Sequence, residues 1–149
     1  MANNVDFDAL SRKTTESNGA INDLSNLYGH AFALPEWYFI ARGEFPDVNP
    51  YIASNANYAG GKYMIRAFTD KERLQRFAKE NNLTGADGEV LTLDIPTGKI
   101  IDYLEQFIAG GVHGIWFNSD NASDGFFVPL QQLRPIKEHL ESINWKNPG

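Results

Sequence analysis

Residues 62–81, KYMIRAFTDKERLQRFAKEN, constrain the fold more than any other stretch of the chain. An apolar, strand-like run over 62–68 passes straight into a helical pattern. Thr69 is placed to cap that helix, and Glu72 three residues on completes a capping box. Asp70 and Glu72 both favour the positive end of the helix dipole. Leu74, Phe77 and Ala78 form a buried stripe that runs to about Asn81. About forty residues later, GGVHGIWFN (110–118) reads as a second buried strand, ending in Asn118 before a polar loop. Strand and helix alternate here, so helices are expected to layer on one sheet.

The flanking segments extend the pattern. Residues 5–28 carry a helical period with a weak point at Asn18-Gly19, so the first nineteen residues are either a first helix or a flexible extension. Ile21, Leu24, Leu27 and Tyr28 share a face, and Gly29 is placed as the terminating residue. EWYFIAR (36–42) is a strand: Trp37, Phe39 and Ala41 face one way, Tyr38, Ile40 and Arg42 the other. A loop over 43–50 precedes a hairpin of 51–54 with 62–68. VLTLDI (90–95) is a strand, with Leu91, Leu93 and Ile95 on one face. Thr97 is read as the cap of the next helix, whose stripe is Ile100, Ile101, Leu104, Phe107 and Ile108. FFVP (126–129) pairs with 112–118 across the loop SDNASDG. Pro135, Ile136, Leu140 and Ile143 mark a C-terminal helix, followed by a tail over 144–149. The whole reads as one α+β domain over 1–149. One mixed sheet of five to six strands is packed by three to four helices.

Composition narrows the function. The 149 residues carry a formal net charge of −6, and the 13 basic residues form no run. Nucleic acid and anionic membrane are therefore disfavoured as partners. With no cysteine, there are no disulfides, thiolate metal sites or thiol nucleophiles. The N-terminus has neither a basic nor an apolar signal region, and no apolar run spans a bilayer, so a cytoplasmic location is expected.

No catalytic constellation emerges. His30, His113 and His139 are not at metal-ligand spacing. His113 reads as a core or interface histidine and His139 as solvated, while His30 follows a helix end. DNASDG (120–125) matches part of a calcium loop, with Asp120 and Asp124 at ligand positions. Ala122 and Gln131 fail two others, and a β-hairpin loop fits better. Asp70 with Glu72 is explained by capping, and nothing requires Asp94 and Asp102 to be close. No phosphate loop, nucleophile elbow or zinc motif is present. No cofactor and no metal are expected.

AFTDKERLQRF, GIWFN and GFFVPLQQL carry a family likeness. Over roughly residues 20–143 the chain resembles the N-terminal domain of the enhanced-serine-sensitivity (SseB-like) family. The resemblance rests on Phe68, Thr69 and Asp70 at the strand-to-helix step, Asn118 at a strand end, and Pro129 before the last helix. Compared with two-domain members, the chain is expected to lack the second, C-terminal domain. The resemblance implies a small bacterial α+β domain with no established catalytic site, similar to domains found beside secretion systems and toxin-immunity loci.

The leading expectation is a non-enzymatic interaction module. It would bind another protein, a basic one by charge, through a sheet face or the 119–125 hairpin. The candidate surface is Tyr38, Thr69, Asp70, Trp116, Asn118, Asp120 and Asp124. The alternative is a small-molecule binder for amino acids or carboxylates, or a weak enzyme, near the strand ends at Thr69, Asp70 and Asn118. A homodimer through an edge strand such as 36–42 is the third.

Overall fold

A computed structural model describes residues 5–43, 47–54, 59–121 and 124–146. The expected segments at 1–4, 44–46, 55–58, 122–123 and 147–149 lie outside those residues. The elements run α1 (Phe7–Glu16), α2 (Ile21–Ala33), β1 (Glu36–Arg42), β2 (Asn49–Pro50), β3 (Ile52–Ala53), β4 (Met64–Phe68), α3 (Lys71–Glu80), β5 (Thr92–Pro96), α4 (Ile100–Glu105), β6 (Gly114–Phe117), β7 (Phe126–Pro129) and α5 (Leu133–Ser142). The α+β architecture is as expected. Among the described residues the mixed sheet has seven strands rather than five to six, and five helices pack it rather than three to four. The first helical stretch breaks into α1 and α2 at Asn18 and Gly19, both with positive φ.

β4 and β6 are parallel, and the other pairings are antiparallel. β1 lies inside the sheet rather than at its edge. It pairs with β5 on one side and with β4 on the other, where short β2 and β3 wedge in. Tyr51 bridges the wedge: its N–H donates to the Ile40 carbonyl (2.8 Å) and its carbonyl accepts from Arg66 N–H (3.1 Å). The outer strands are β5 and β7.

The alternation of β1 divides the interior. Trp37 and Phe39 enter the larger core, with Leu27, Ile100, Leu104, Ile115, Phe117 and Leu133. Ile40 joins Phe68, Leu74, Phe77 and Ala78 under α3 on the other face. Helices therefore cover both faces of the sheet. Phe7 of α1 lies in the larger core and stacks against Phe126. Buried Trp37 donates its Nε1–H to the Ala31 carbonyl (2.7 Å), so burying the indole leaves no orphaned donor.

Several local readings are corrected by long-range partners. Gly29 does not end α2; it sits inside the helix, where a Cβ would occupy the space filled by the Trp145 indole. Trp145 in turn is no loose tail: its Nε1–H donates to Asn26 Oδ1 (3.2 Å) and its ring meets His30 edge-on at 5.1 Å. Thr97 caps no helix; its hydroxyl donates to the Leu34 carbonyl, and its N–H to Pro35 (3.0 Å). It thus pins the end of β5 beside the start of β1. The stripe from Ile100 to Ile108 packs on the larger core as expected, although the helix itself stops at Glu105.

Candidate functional site

The strand-to-helix step at Phe68–Lys71 and the strand end at Asn118 meet at the C-terminal ends of parallel β4 and β6. Thr69 N–H donates to Asn118 Oδ1 (3.1 Å), and Asn118 Nδ2 donates back to Thr69 Oγ1 (3.1 Å). Both residues are buried. Asn118 has φ +55, a left-handed conformation that Asn adopts more readily than other side chains. This engagement removes Thr69 from the capping role. Asp70 caps α3 instead, its carboxylate accepting from Arg73 N–H (2.8 Å), so the Thr69–Glu72 capping box is not formed.

An ionic clasp surrounds this step. Arg73 of α3 donates to Asp8 of α1 (2.6 Å) and to Asp120 (3.1 Å), and Arg76 also reaches Asp120 (3.2 Å). The Asp120 side chain is only 3% exposed. Arg12 of α1 reaches Asp124 (2.7 Å), which also accepts from Asn121 Nδ2 (3.3 Å). The Arg12 hydrogen bond holds the Asp124 carboxyl below the usual carboxylate range. The hairpin loop is therefore bolted to α1 and α3, and its acids ligate arginines.

The seven candidate residues fall into two groups. Thr69, Asn118 and Asp120 are brought together in the clasp, with Asp70 and Asp124 at its rim. Tyr38 and Trp116 stand apart from it. Tyr38 is half-buried on the α3 face, with Lys71 Nζ 5.9 Å from its ring centre. Trp116 is 2% exposed and lies inside the molecule under the Arg66 guanidinium, 4.2 Å away. Arg66 is 6% exposed and forms no ion pair among the described residues; burial lowers its pKa.

Two of the concave features of the molecule matter here, and neither is lined by any of the seven candidate residues. A groove of ≈ 370 Å³ runs beside β7 between α2 and α5, lined by Ile21, Leu24, Tyr28, Pro135, Ile136 and His139. Ile21 is 61% exposed. His139, expected to be solvated, is half-buried here, its Nε2 3.4 Å from Ser25 Oγ. The apolar stripe of α2 was legible in the sequence; nothing local marked its first turn as left uncovered. The second feature is a polar cleft of ≈ 420 Å³ at the opposite end of β4 and β6, where Lys62, Tyr63, His113 and Gln131 converge. His113 directly precedes β6 and lines this cleft.

Among the described residues, no group of three or more His, Asp or Glu is placed to hold a metal ion. Nor is any helix among them long and apolar enough to cross a membrane. Compared with known proteins, the chain matches no family model, no curated protein and no solved structure.

Proposed function

We propose that this protein is a non-enzymatic protein-interaction module of the SseB-like type, working in the cytoplasm and taking a basic partner as in secretion or toxin-immunity systems. The groove between α2 and α5 carries the reading. Its apolar side chains are concave and partly wet, so an inserted apolar anchor would remove their area from water at roughly 25 cal/mol per Å². The sheet faces are a poorer route, since helices cover both and Trp116 is buried. The formal charge of −6 favours a cationic partner by steering its approach.

Site-specific photo-crosslinking in native lysate tests this. A photoreactive residue at Ile21 or Ile136 should yield one dominant adduct, absent when the photoreactive residue stands at Lys79 on the opposite side of the sheet. Ile136→Glu, combined with the probe at Ile21, should abolish it. Identical adduct patterns at the groove and at Lys79 would defeat the proposal.

A second reading rests on the polar cleft. Lys62, His113 and Gln131 supply donors for a small carboxylate, such as that of an amino acid. Thermal stabilisation by amino acids that is lost in Lys62→Ala would support it; no shift with any of them would remove it.

A further inference from the structure

β5 is an outer strand, and its backbone edge is open. The register with β1 pairs Trp37 with Ile95, Phe39 with Leu93 and Ile40 with Thr92. Ala41 N–H donates to the Leu91 carbonyl (2.9 Å), and Thr97 N–H to the Pro35 carbonyl (3.0 Å). In an antiparallel ladder each residue turns its N–H and C=O to the same side, and successive residues alternate. Residues 91, 93, 95 and 97 therefore bond toward β1. Thr92 and Asp94 turn both backbone groups outward, and among the described residues nothing bonds to them.

The other outer strand is defended. The Phe127 carbonyl of β7 accepts from the Tyr28 hydroxyl (3.4 Å), and Pro129 on the same side has no N–H. β5 is less guarded: it has no bulge and no covering hydroxyl, its one charge, Asp94, is neutralised by Lys71 (2.7 Å), and only its last residue, Pro96, lacks a donor. Exposed edges so lightly guarded are templates for another strand.

The side chains select which strand fits. A second copy of β5 can meet the first antiparallel in three registers that bring outward-facing residues together. Asp94 opposite Asp94 sets two carboxylates face to face and draws Pro96 into the ladder. Thr92 opposite Thr92 matches Asp94 with Val90, which lies outside the strand. With Leu93 opposite Leu93, Thr92 of each copy faces Asp94 of the other, giving about four backbone hydrogen bonds. On one face this register sets Leu93 on Leu93, and Leu91 against Ile95 of the second copy. Leu91 is 56% exposed in the single chain and gains an apolar neighbour. On the other face each Thr92 stands across from Asp94, whose Oδ1 is buried within its own chain and whose Oδ2 is paired with Lys71 (2.7 Å), so the carboxylate enters the ladder already neutralised.

From this self-complementarity we infer that the chain forms a two-fold symmetric dimer by pairing β5 with β5 of a second copy, centred on Leu93. The dimer uses a different surface from the α2–α5 groove and stands without it.

Light scattering across a dilution series should give a mass approaching twice 16.7 kDa at the highest concentrations. A mass of 16.7 kDa throughout overturns the inference. Thr92→Pro removes an outward N–H, and Leu91→Lys places a charge on the edge; each should return the single-chain mass with unchanged circular dichroism. A folded Leu91→Lys protein that keeps the doubled mass overturns the edge pairing. Because the chain has no cysteine, the register can be read directly. Leu93→Cys should form a disulfide-linked dimer under mild oxidation, and Leu91→Cys should not. Linkage at 91, or none at 93, overturns the register.

Discussion

Thr69 and Asn118, 49 residues apart, hydrogen-bond to each other in both directions, N–H to Oδ1 and Nδ2 to Oγ1, each at 3.1 Å. Asn118→Ala would leave the buried Thr69 N–H without its acceptor and keep a left-handed backbone that Ala tolerates poorly. The expected loss is about 2–4 kcal/mol. Asn118→Gly relieves the backbone strain but not the missing acceptor, so it should lose less. Urea denaturation of both variants checks the order; equal losses would mean that the backbone conformation contributes nothing.

Arg73 joins α1, α3 and the hairpin loop through Asp8 and Asp120. Replacing it with Leu leaves the nearly buried Asp120 with only the more exposed Arg76 as counter-charge. The fold should lose about 2–3 kcal/mol, because removing one partner of a buried pair strands the other. Asp120→Asn in the Arg73→Leu background should recover part of that loss. No recovery would show that the two charges act separately.

Arg66 presents the opposite case. Its guanidinium is buried on Trp116; among the described residues its Nε has no hydrogen-bond partner and its Nη2 meets only the Ala53 carbonyl, at a long 3.5 Å. An unpaired buried cation costs desolvation that stacking offsets only by about 1–2 kcal/mol. Arg66→Met should therefore leave the melting temperature unchanged or raise it. A fall of several degrees would contradict this.

Gly29→Ala inserts a Cβ where the Trp145 ring lies. Helix propensity favours the change by roughly 1 kcal/mol, yet the indole must leave its place beside His30. A red-shifted tryptophan emission with little change in stability is expected. An unshifted spectrum would place Trp145 elsewhere in solution.

Acid should loosen the braces between α1 and the hairpin loop and between α4 and α5. The Arg12 hydrogen bond lowers the Asp124 pKa, and the Arg134 hydrogen bond lowers that of Glu105. A folded pKa below the unfolded one adds stability above the unfolded value of about 4, lost as pH falls through the folded value. Stability should thus be level near neutrality and decline below about pH 4, less steeply in Arg12→Gln. An identical acid profile in that variant would rule out a contribution from the Arg12–Asp124 pair.

Regular spacing in the sequence translated well into elements. The alternation of Trp37 and Phe39 against Ile40 separated the two faces of β1, and the stripes of Leu74–Phe77–Ala78 and Ile100–Leu104 marked two helix faces that pack on the cores. Pairwise roles translated poorly. Thr69, Thr97 and Gly29 each offered a sound local role, as cap, cap and helix end, and each was claimed by a partner far along the chain: Asn118, Leu34 and Trp145. The groove was legible only as one apolar stripe on each of two helices, since its emptiness depends on how α2 and α5 converge.

The sequence alone determined the strand alternation, the helical stripes and the absence of thiol chemistry, because side-chain period and composition are properties of the chain itself. Tertiary structure decided which strand lies outermost, which polar groups are already engaged and which apolar faces stay wet. A hydroxyl, an amide or a glycine presents the same local character to any neighbour, and only the closure of distant segments selects the one it meets.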